Sequence, residues 1–385
     1  MFNKNQRIIA FLLLIVLTVL LFPHKGYAQD IKSAPFQIDF IDVGQGDAAL
    51  VKCDGHYMLI DGGSASKSSL IYSYLKSRSI KNIDVMVATH PDEDHIGGLS
   101  GALNYANVGL ALCPVTQHST KTFQSFVKYL GAQGRTITVP KAGQYFMLGS
   151  AVVYILGPTY ISDEANNNSI VLRIVYGKAS FLFTGDAETE EENAILNSGQ
   201  AVQSTVLKVA HHGSDSSTGY QFLRAVAPKY AVISVGSENS YGHPTENTLS
   251  RLRDAGAQVL RTDLQGDIVC TTDGNYITFY VQRNANINTL ANAGPGQNQD
   301  LSYLTPSGNS APDNQAGIPD RYVSDAGNNQ SAQSYSYVLN TNSHNFHRPE
   351  CSSVNDMKEK NKQYFNGSRE EAIALGYEPC KRCNP

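Results

Sequence analysis

Thr89-His90-Pro91-Asp92-Glu93-Asp94-His95-Ile96-Gly97-Gly98 is the stretch whose reading decides the fold. It follows the apolar run IDVMVA (83–88), which predicts a strand, so four ligand-type side chains, His90, Asp92, Asp94 and His95, leave one strand end together. Imidazole nitrogens and carboxylate oxygens are the donors that Zn(II), Mn(II) and Fe(II) accept, and crowding them is costly unless the charges are coordinated or solvated. Two further apolar runs end the same way. SFLFTGD (180–186) closes on Asp186, and STVLKVAHH (204–212) closes on His211 and His212. Alone, Thr-Gly-Asp or a His pair is a weak signal, and the first loop alone could be a solvated acidic turn. Together they describe a site built along one edge of a sheet.

Outward from these runs, the segment from Phe36 to about Gln282 alternates β-branched stretches with helical patterns and Gly-rich turns. FQIDFIDV, AALVK and HYMLI predict three opening strands, with Asp54-Gly55 a hairpin signal between the second and third. Later strands are expected at Ile83–Ala88, Ser169–Tyr176, Ser180–Phe183, Val206–Ala210, Ala231–Val235 and Val259–Arg261. Helices are expected near Ser69–Arg78, Glu188–Leu196, Tyr220–Ala225 and Glu246–Ala255. Mixed sheets covered by helices, an α/β architecture, satisfy this order. Gly44-Gln45-Gly46-Asp47 falls between strands and reads as a turn.

The chain has 385 residues, 41% of them hydrophobic, with 32 Gly and 15 Pro, enough for one large core and a second small unit. A formal net charge of -4 argues against coating DNA by bulk charge, so any contact with nucleic acid has to be local. Lys4 and Arg7 precede an apolar run from Ile8 to Phe22, then Pro23 and the small-residue ending Gly26-Tyr27-Ala28. This predicts an export signal over 1–28, cut after Ala28, and a secreted or extracytoplasmic protein; an uncleaved anchor is the alternative. Residues 31–283 form the expected main domain, and 284–334, rich in Asn, Gly, Ser, Pro and Gln, a disordered linker.

Six cysteines fall into two groups. Cys53, Cys113 and Cys270 sit in apolar strand-like surroundings, while Cys351, Cys380 and Cys383 crowd the last fifty residues. His347-x3-Cys351 and Cys380-x2-Cys383 give four soft ligands suited to a closed structural Zn(II) site, which would supply folding free energy that a unit spanning 335–385 lacks. A disulfide is the competing reading, although three thiols leave one unpaired. His344 is a weaker ligand candidate. Arg348, Lys358, Lys360, Lys362, Arg369, Lys381 and Arg382 are interleaved with acids, which a solvated surface explains.

THPDEDHIGG, FTGD and AHHGS, in that order, resemble the metal-binding motifs of the metallo-β-lactamase fold, an αββα sandwich carrying one or two metal ions. IDFIDVGQGDAALV, LIDGG, NNNSIVLRI, LKVAHHGSDSS and YGHPTENTLSRL are similar to the extracytoplasmic hydrolase domain of the competence protein ComEC. The resemblance covers about residues 36–280 and no membrane channel. It implies that His90 and Asp92 hold one divalent ion, that Asp94, His95 and His212 hold another, and that Asp186 bridges, with the ions (Zn or Mn) activating water. Asp92 stands where the wider family has a histidine, which makes that half harder and favours Mn(II) or weakens Zn(II). The family's third-motif histidine has no clear counterpart; Asn167 or Asn168 lies near the place, His118 earlier, and a partial or amide-assisted site is expected. The tail resembles the metal-binding module of the Ada repair protein.

Asp94, His211 and His243 are the expected catalytic side chains, with His211 or His243 touching substrate or protonating the leaving oxygen; which of His211 and His212 ligates stays open. Asp61, in LIDGG, either orients a ligand histidine or is a turn residue. His243 precedes Pro244 and Thr245, which also suit a helix start. Lys208 reads as a polar position on a strand or a phosphate contact. No nucleophile elbow, phosphate loop or dinucleotide glycine pattern occurs. The expected function is that of an exported metal-dependent phosphodiesterase or DNase, with DNA as partner. A small-ester or cell-wall esterase or lactonase, and a non-catalytic metal-containing surface protein, are the alternatives.

Overall fold

A computed structural model describes residues 34–291 and, in the C-terminal part, 337–349, 351–365, 369–383 and 385. The expected export signal at 1–28 and the expected linker from 292 onward lie outside the described residues. Among the described residues no helix is long and apolar enough to cross a membrane.

The chain runs through β1 (Phe36–Phe40), β2 (Ala49–Cys53), β3 (His56–Ile60), α1 (Ser68–Ser77), β4 (Asn82–Val87), α2 (Glu93–Ile96), α3 (Leu99–Tyr105), β5 (Asn107–Leu112), α4 (Lys121–Ala132) and β6 (Ile137–Thr138). It continues with β7 (Tyr145–Leu148), β8 (Ala151–Gly157), β9 (Val171–Tyr176), β10 (Ala179–Phe183), α5 (Thr189–Asn197), β11 (Val206–Lys208), α6 (Tyr220–Val226) and β12 (Tyr230–Ile233). Last come α7 (Glu246–Asp254), β13 (Gln258–Arg261), α8 (Thr262–Gln265), β14 (Ile268–Thr272) and β15 (Ile277–Val281). The strands form an eight-stranded sheet, β15-β14-β1-β2-β3-β4-β5-β6, and a seven-stranded sheet, β13-β12-β11-β10-β9-β8-β7.

Alternation along β1 shows how the layers arise. Phe36, Ile38 and Phe40 are buried between the sheets, and Phe36 stacks on Phe181 at 5.0 Å and Phe40 on Phe183 at 5.7 Å. The intervening Asp39 faces the helical layer and accepts from Tyr74 Oη at 2.9 Å. A second cluster packs α1, α3 and α4 onto the outer face of the first sheet, and a third packs α5, α6 and α7 onto the outer face of the second. The result is the expected αββα sandwich. β10 is buried at all five positions because both of its faces are covered.

The hairpin at Asp54-Gly55 forms as expected, with left-handed φ at both residues. Several strands stop sooner than the apolar runs suggest. The run Val206–Ala210 is strand only to Lys208, because Ala210–Gly213 turns away to present the histidine pair. β14 returns from the end of the domain to pair with β1, a non-local closure, and β15 adds beside β14 at the sheet edge. The expected domain end at 283 is too early: Thr289 Oγ1 donates to Val259 O at 2.8 Å, Arg261 Nη1 donates to Thr289 O at 3.2 Å, and the unit closes at Leu290.

The C-terminal unit holds β16 (Tyr337–Asn340), β17 (Asn345–His347), α9 (Ser352–Asn355), β18 (Lys362–Phe365), α10 (Arg369–Ala374) and β19 (Glu378–Pro379). Its sheet runs β18-β16-β17-β19.

Glu191 on α5 is wholly buried; Thr159 donates to it from N at 2.7 Å and from Oγ1 at 2.9 Å. Burial pushes its carboxyl up from 4.5 to about 7. The folded state therefore holds this proton more tightly than the unfolded chain, and stability falls as pH rises from about 4.5 to about 7, by on the order of 3 kcal/mol. Glu191→Gln, which mimics the protonated acid, is expected to raise the melting temperature at pH 8 and to lose that advantage near pH 4.5. An equal shift at both pH values would contradict this.

Candidate metal centre

Parallel strands of both sheets deliver their C-terminal ends to one edge. β4 leads through Ala88 and Thr89 to His90, and Asp92 then starts the short α2, which carries Asp94 and His95. β10 leads to Asp186 and β11 to the histidine pair, while β3 ends on Asp61. The loop after β4 lies close against LIDGG: a Cβ added at Gly98 would overlap the Gly62 carbonyl, so Gly97-Gly98 is needed for this approach.

The buried ring and carboxylate atoms converge. His95 Nε2 lies 3.2 Å and His212 Nε2 3.5 Å from Asp186 Oδ2, and His212 Nε2 lies 3.2 Å from Asp94 Oδ2. The His90 and His95 rings stand 4.1 Å apart, and His90 Nε2 is 3.8 Å from Asp92 Oδ2. His90 Nε2, His95 Nε2, His212 Nε2 and Asp186 Oδ1 are all buried with no hydrogen-bond partner among the described residues. Unsatisfied buried polar atoms of this kind cost about 1–3 kcal/mol each, and bound cations relieve that cost. The donor set therefore fits metal ions. Asp94, His95, His212 and Asp186 could hold one, and His90 with the half-exposed Asp92 the other.

The outward ring nitrogens are held. His95 Nδ1 donates to Asp61 Oδ2 at 2.9 Å, and Asp61 also accepts from Thr89 N at 2.8 Å and Thr89 Oγ1 at 2.7 Å. His212 Nδ1 donates to Ser234 O at 3.0 Å and lies 3.1 Å from Asp47 Oδ1. These partners fix the tautomer that turns each Nε2 lone pair inward. Asp61 is thus the orienting residue of the two readings, not simply a turn acid.

Electrostatics follow from this crowding. Burial, aided by the charge on His95, pushes His90 down to about 3, keeping it neutral as a ligand must be. Burial would depress His95 and His212 too, but Asp186 with Asp61 holds His95 well above the usual imidazole range, and Asp186 with Asp47 raises His212 to about 9. Burial opposes the ionisation of Asp186, yet His95 and His212 keep its carboxyl well below the usual carboxylate range.

The adjacent histidines separate by backbone. His211 and His212 both take left-handed φ, 49° and 53°, a strained conformation costing on the order of 1–3 kcal/mol per residue. It sends the His212 ring into the cluster and leaves the His211 ring part-exposed at the rim, with Nδ1 3.3 Å from Glu188 Oε1 and Nε2 3.7 Å from Asp186 Oδ2. His243 meets His211 edge-on at 5.6 Å, and burial, then the charges of His211 and His212, push it down to about 4. Thr245 is the cap of α7, accepting from Thr248 N at 3.3 Å.

Two expectations change. Neither asparagine faces the cluster: Asn167 Oδ1 accepts from Glu188 N at 2.9 Å, and Asn168 closes a turn onto Ser162, so no amide assists a metal. His118, which the sequence placed too early in the chain, pairs through Nδ1 with Thr120 Oγ1 at 3.1 Å. Asp47, read as a turn residue, belongs to the site: one donor atom from each of Asp47, His95, Asp186 and His212 lies within 4.8 Å of the others. Its Oδ2 takes a buried ion pair from Lys208 Nζ at 2.6 Å, so Lys208 points behind the site and not at a phosphate. A lysine inside an apolar strand demands a buried carboxylate, the one signal that could have found Asp47.

In the C-terminal unit, one donor atom from each of His347, Cys351, Cys380 and Cys383 lies within 4.8 Å of the others. Both ring nitrogens of buried His347 lack partners among the described residues, and all three thiols are free. Cys351 Sγ and Cys380 Sγ are 4.0 Å apart, too far for a disulfide and near the ~3.8 Å edge of a tetrahedron with Zn–S bonds of about 2.3 Å. His344 lies outside the cluster, its ring 5.6 Å from that of Tyr377.

Residues 41–237 match the family described as the Metallo-beta-lactamase superfamily, and residues 322–385 match the metal binding domain of Ada. The chain belongs to the metallo-β-lactamase superfamily of metal-dependent hydrolases. It is similar to ComE operon protein 3 of Bacillus subtilis (strain 168), 32% identical over 268 residues, which cover 65% of this chain and 34% of that protein. Competence protein ComA of Neisseria gonorrhoeae is 34% identical over 228 residues, covering 58% of this chain and 30% of that one. The chain thus spans about a third of the length of these relatives. Among solved structures, the metallo-beta-lactamase fold protein YhfI from Bacillus subtilis aligns with a TM-score of 0.41 at 12% identity, over 64% of this chain and 100% of that one.

Asp61→Ala removes the acceptor that orients His95. Metal affinity of the hydrolase site, measured by competition with a chelator, is expected to fall about 10- to 100-fold. Unchanged affinity would contradict the orienting role.

Proposed function

We propose that this chain is an exported, metal-dependent phosphodiesterase acting on DNA, with the Cys3His module increasing substrate capture. The observation that carries the reading is the buried convergence of His95 Nε2 and His212 Nε2 on Asp186, with His90 and Asp92 paired beside them and Asp94 against His212. So many carboxylates make a hard site suited to ions that also bind phosphoryl oxygens. The relatives' names support a DNA substrate, since genetic competence is the uptake of DNA; they are much longer proteins, and no transport is assigned to this chain. Export rests on the signal-like sequence over 1–28.

Bound here, two divalent ions would lower the pKa of water and neutralise charge developing on the phosphoryl group. The chain's own residues do the rest. Asp186 sets the spacing of the two half-sites, and Asp61 and Ser234 hold the ligand rings. His211, outside the ligand set and braced by Glu188, offers Nε2 to protonate the leaving oxygen. His243 lines the rim beside it.

Incubating the purified protein with linear and circular DNA, with Mn(II), Zn(II) or a chelator, tests the proposal. Cleavage that needs metal is expected, and Asp186→Ala is expected to reduce it at least ~10³-fold while the tail keeps its zinc. Cleavage surviving in that variant would contradict the bridging role. Turnover of simple phosphodiesters without DNA cleavage would move the assignment to small or cell-wall esters; metal binding without any turnover would leave a non-catalytic surface protein.

A further inference from the structure

Tyr241 stands at the rim, 68% exposed, although the loop that carries it is firmly held. Asn239 Oδ1 accepts from Tyr241 N at 3.2 Å and His243 N at 2.9 Å, and Asn239 Nδ2 donates to Gly236 O at 2.9 Å and His243 O at 2.6 Å. Thr245 N donates to Gly213 O at 2.9 Å, tying the loop to the turn that carries the histidine pair. Gly236 N donates to Gln45 Oε1 at 3.2 Å, beside the Gly44–Asp47 turn. The loop is therefore built into the metal centre.

From the rim inward the rings form a continuous row. Tyr241 stacks on His243 at 5.7 Å with 26° between planes, His243 meets His211 at 5.6 Å, and His211 Nε2 reaches to 3.7 Å from Asp186 Oδ2. One face of the Tyr241 ring is used by His243, while most of the residue stays exposed. An aromatic ring on a braced loop, beside reacting groups, suits a flat ligand that extends an existing stack.

We infer that Tyr241, backed by His243, is a stacking platform for an unpaired nucleobase next to the scissile phosphate, so that the preferred substrate is single-stranded nucleic acid. This rests on the nucleic-acid reading above. In a duplex both faces of each base are already stacked; an unpaired base offers a free face, and base–aromatic stacking tolerates any sequence. No basic patch is required, in keeping with the net charge of -4.

The test is a cycle on the full chain with Mn(II), crossing Tyr241→Ala and Tyr241→Phe with two single-stranded oligonucleotides. One carries normal bases; the other is abasic around the cleaved linkage. On the base-bearing strand Tyr241→Ala is expected to lower kcat/KM about 10- to 100-fold, mainly through KM, while Tyr241→Phe keeps the wild-type value. Wild type is expected to lose a similar factor on the abasic strand, where Tyr241→Ala adds little. Equal effects of Tyr241→Ala on both strands, or none, would overturn the platform while leaving the phosphodiesterase reading intact. Indifference of the wild type to base removal would overturn it without any variant. Failure of the wild type to cleave either strand would remove the nucleic-acid reading and the platform with it.

Discussion

Four buried atoms of the metal cluster, three imidazole nitrogens and one carboxylate oxygen, have no hydrogen-bond partner among the described residues, and they constrain the rest of this molecule. Left alone they would weigh against folding by several kcal/mol, a large share of the stability of an ordinary domain. The fold nonetheless invests in keeping them so. Asp61 and Ser234 take the outward nitrogens, Lys208 neutralises Asp47 behind His212, and burial keeps His90 neutral. Each of these arrangements makes sense for donors waiting on a cation.

The architecture explains how residues so distant in sequence meet. Strands of both sheets, β3 and β4 from one and β10 and β11 from the other, release the chain at the same edge, where loops can carry polar groups that a core would not tolerate. Between the sheets, Phe36, Phe40, Phe181 and Phe183 fix the spacing of the layers. Strain is also found where the ligands are presented: Asp61, His211 and His212 all hold left-handed φ without being glycine.

Ligand-rich strand ends were legible because chemistry and pattern coincide there: THPDEDHIGG, FTGD and AHHGS each break an apolar run with a donor. The layered sheets were legible from the same runs. What sequence concealed was pairing at a distance. Asp47 looks like any acid closing a glycine turn until Lys208 is seen to be buried against it, and Asn167 looks like a spare ligand until its amide oxygen is found capping Glu188 N. Likewise the return of β14 to β1 depends on register between strands at opposite ends of the domain. The choice between His211 and His212 was decided by two dihedral angles that no residue type announces.

Metal stoichiometry of the intact, purified chain measures the central claim most directly. Elemental analysis after reconstitution should find three ions per chain, two of them lost together in His95→Ala and one, zinc, retained with the C-terminal cysteines. A single ion per chain, unaffected by His95→Ala, would show that the buried donors between the sheets hold no metal and would contradict the account.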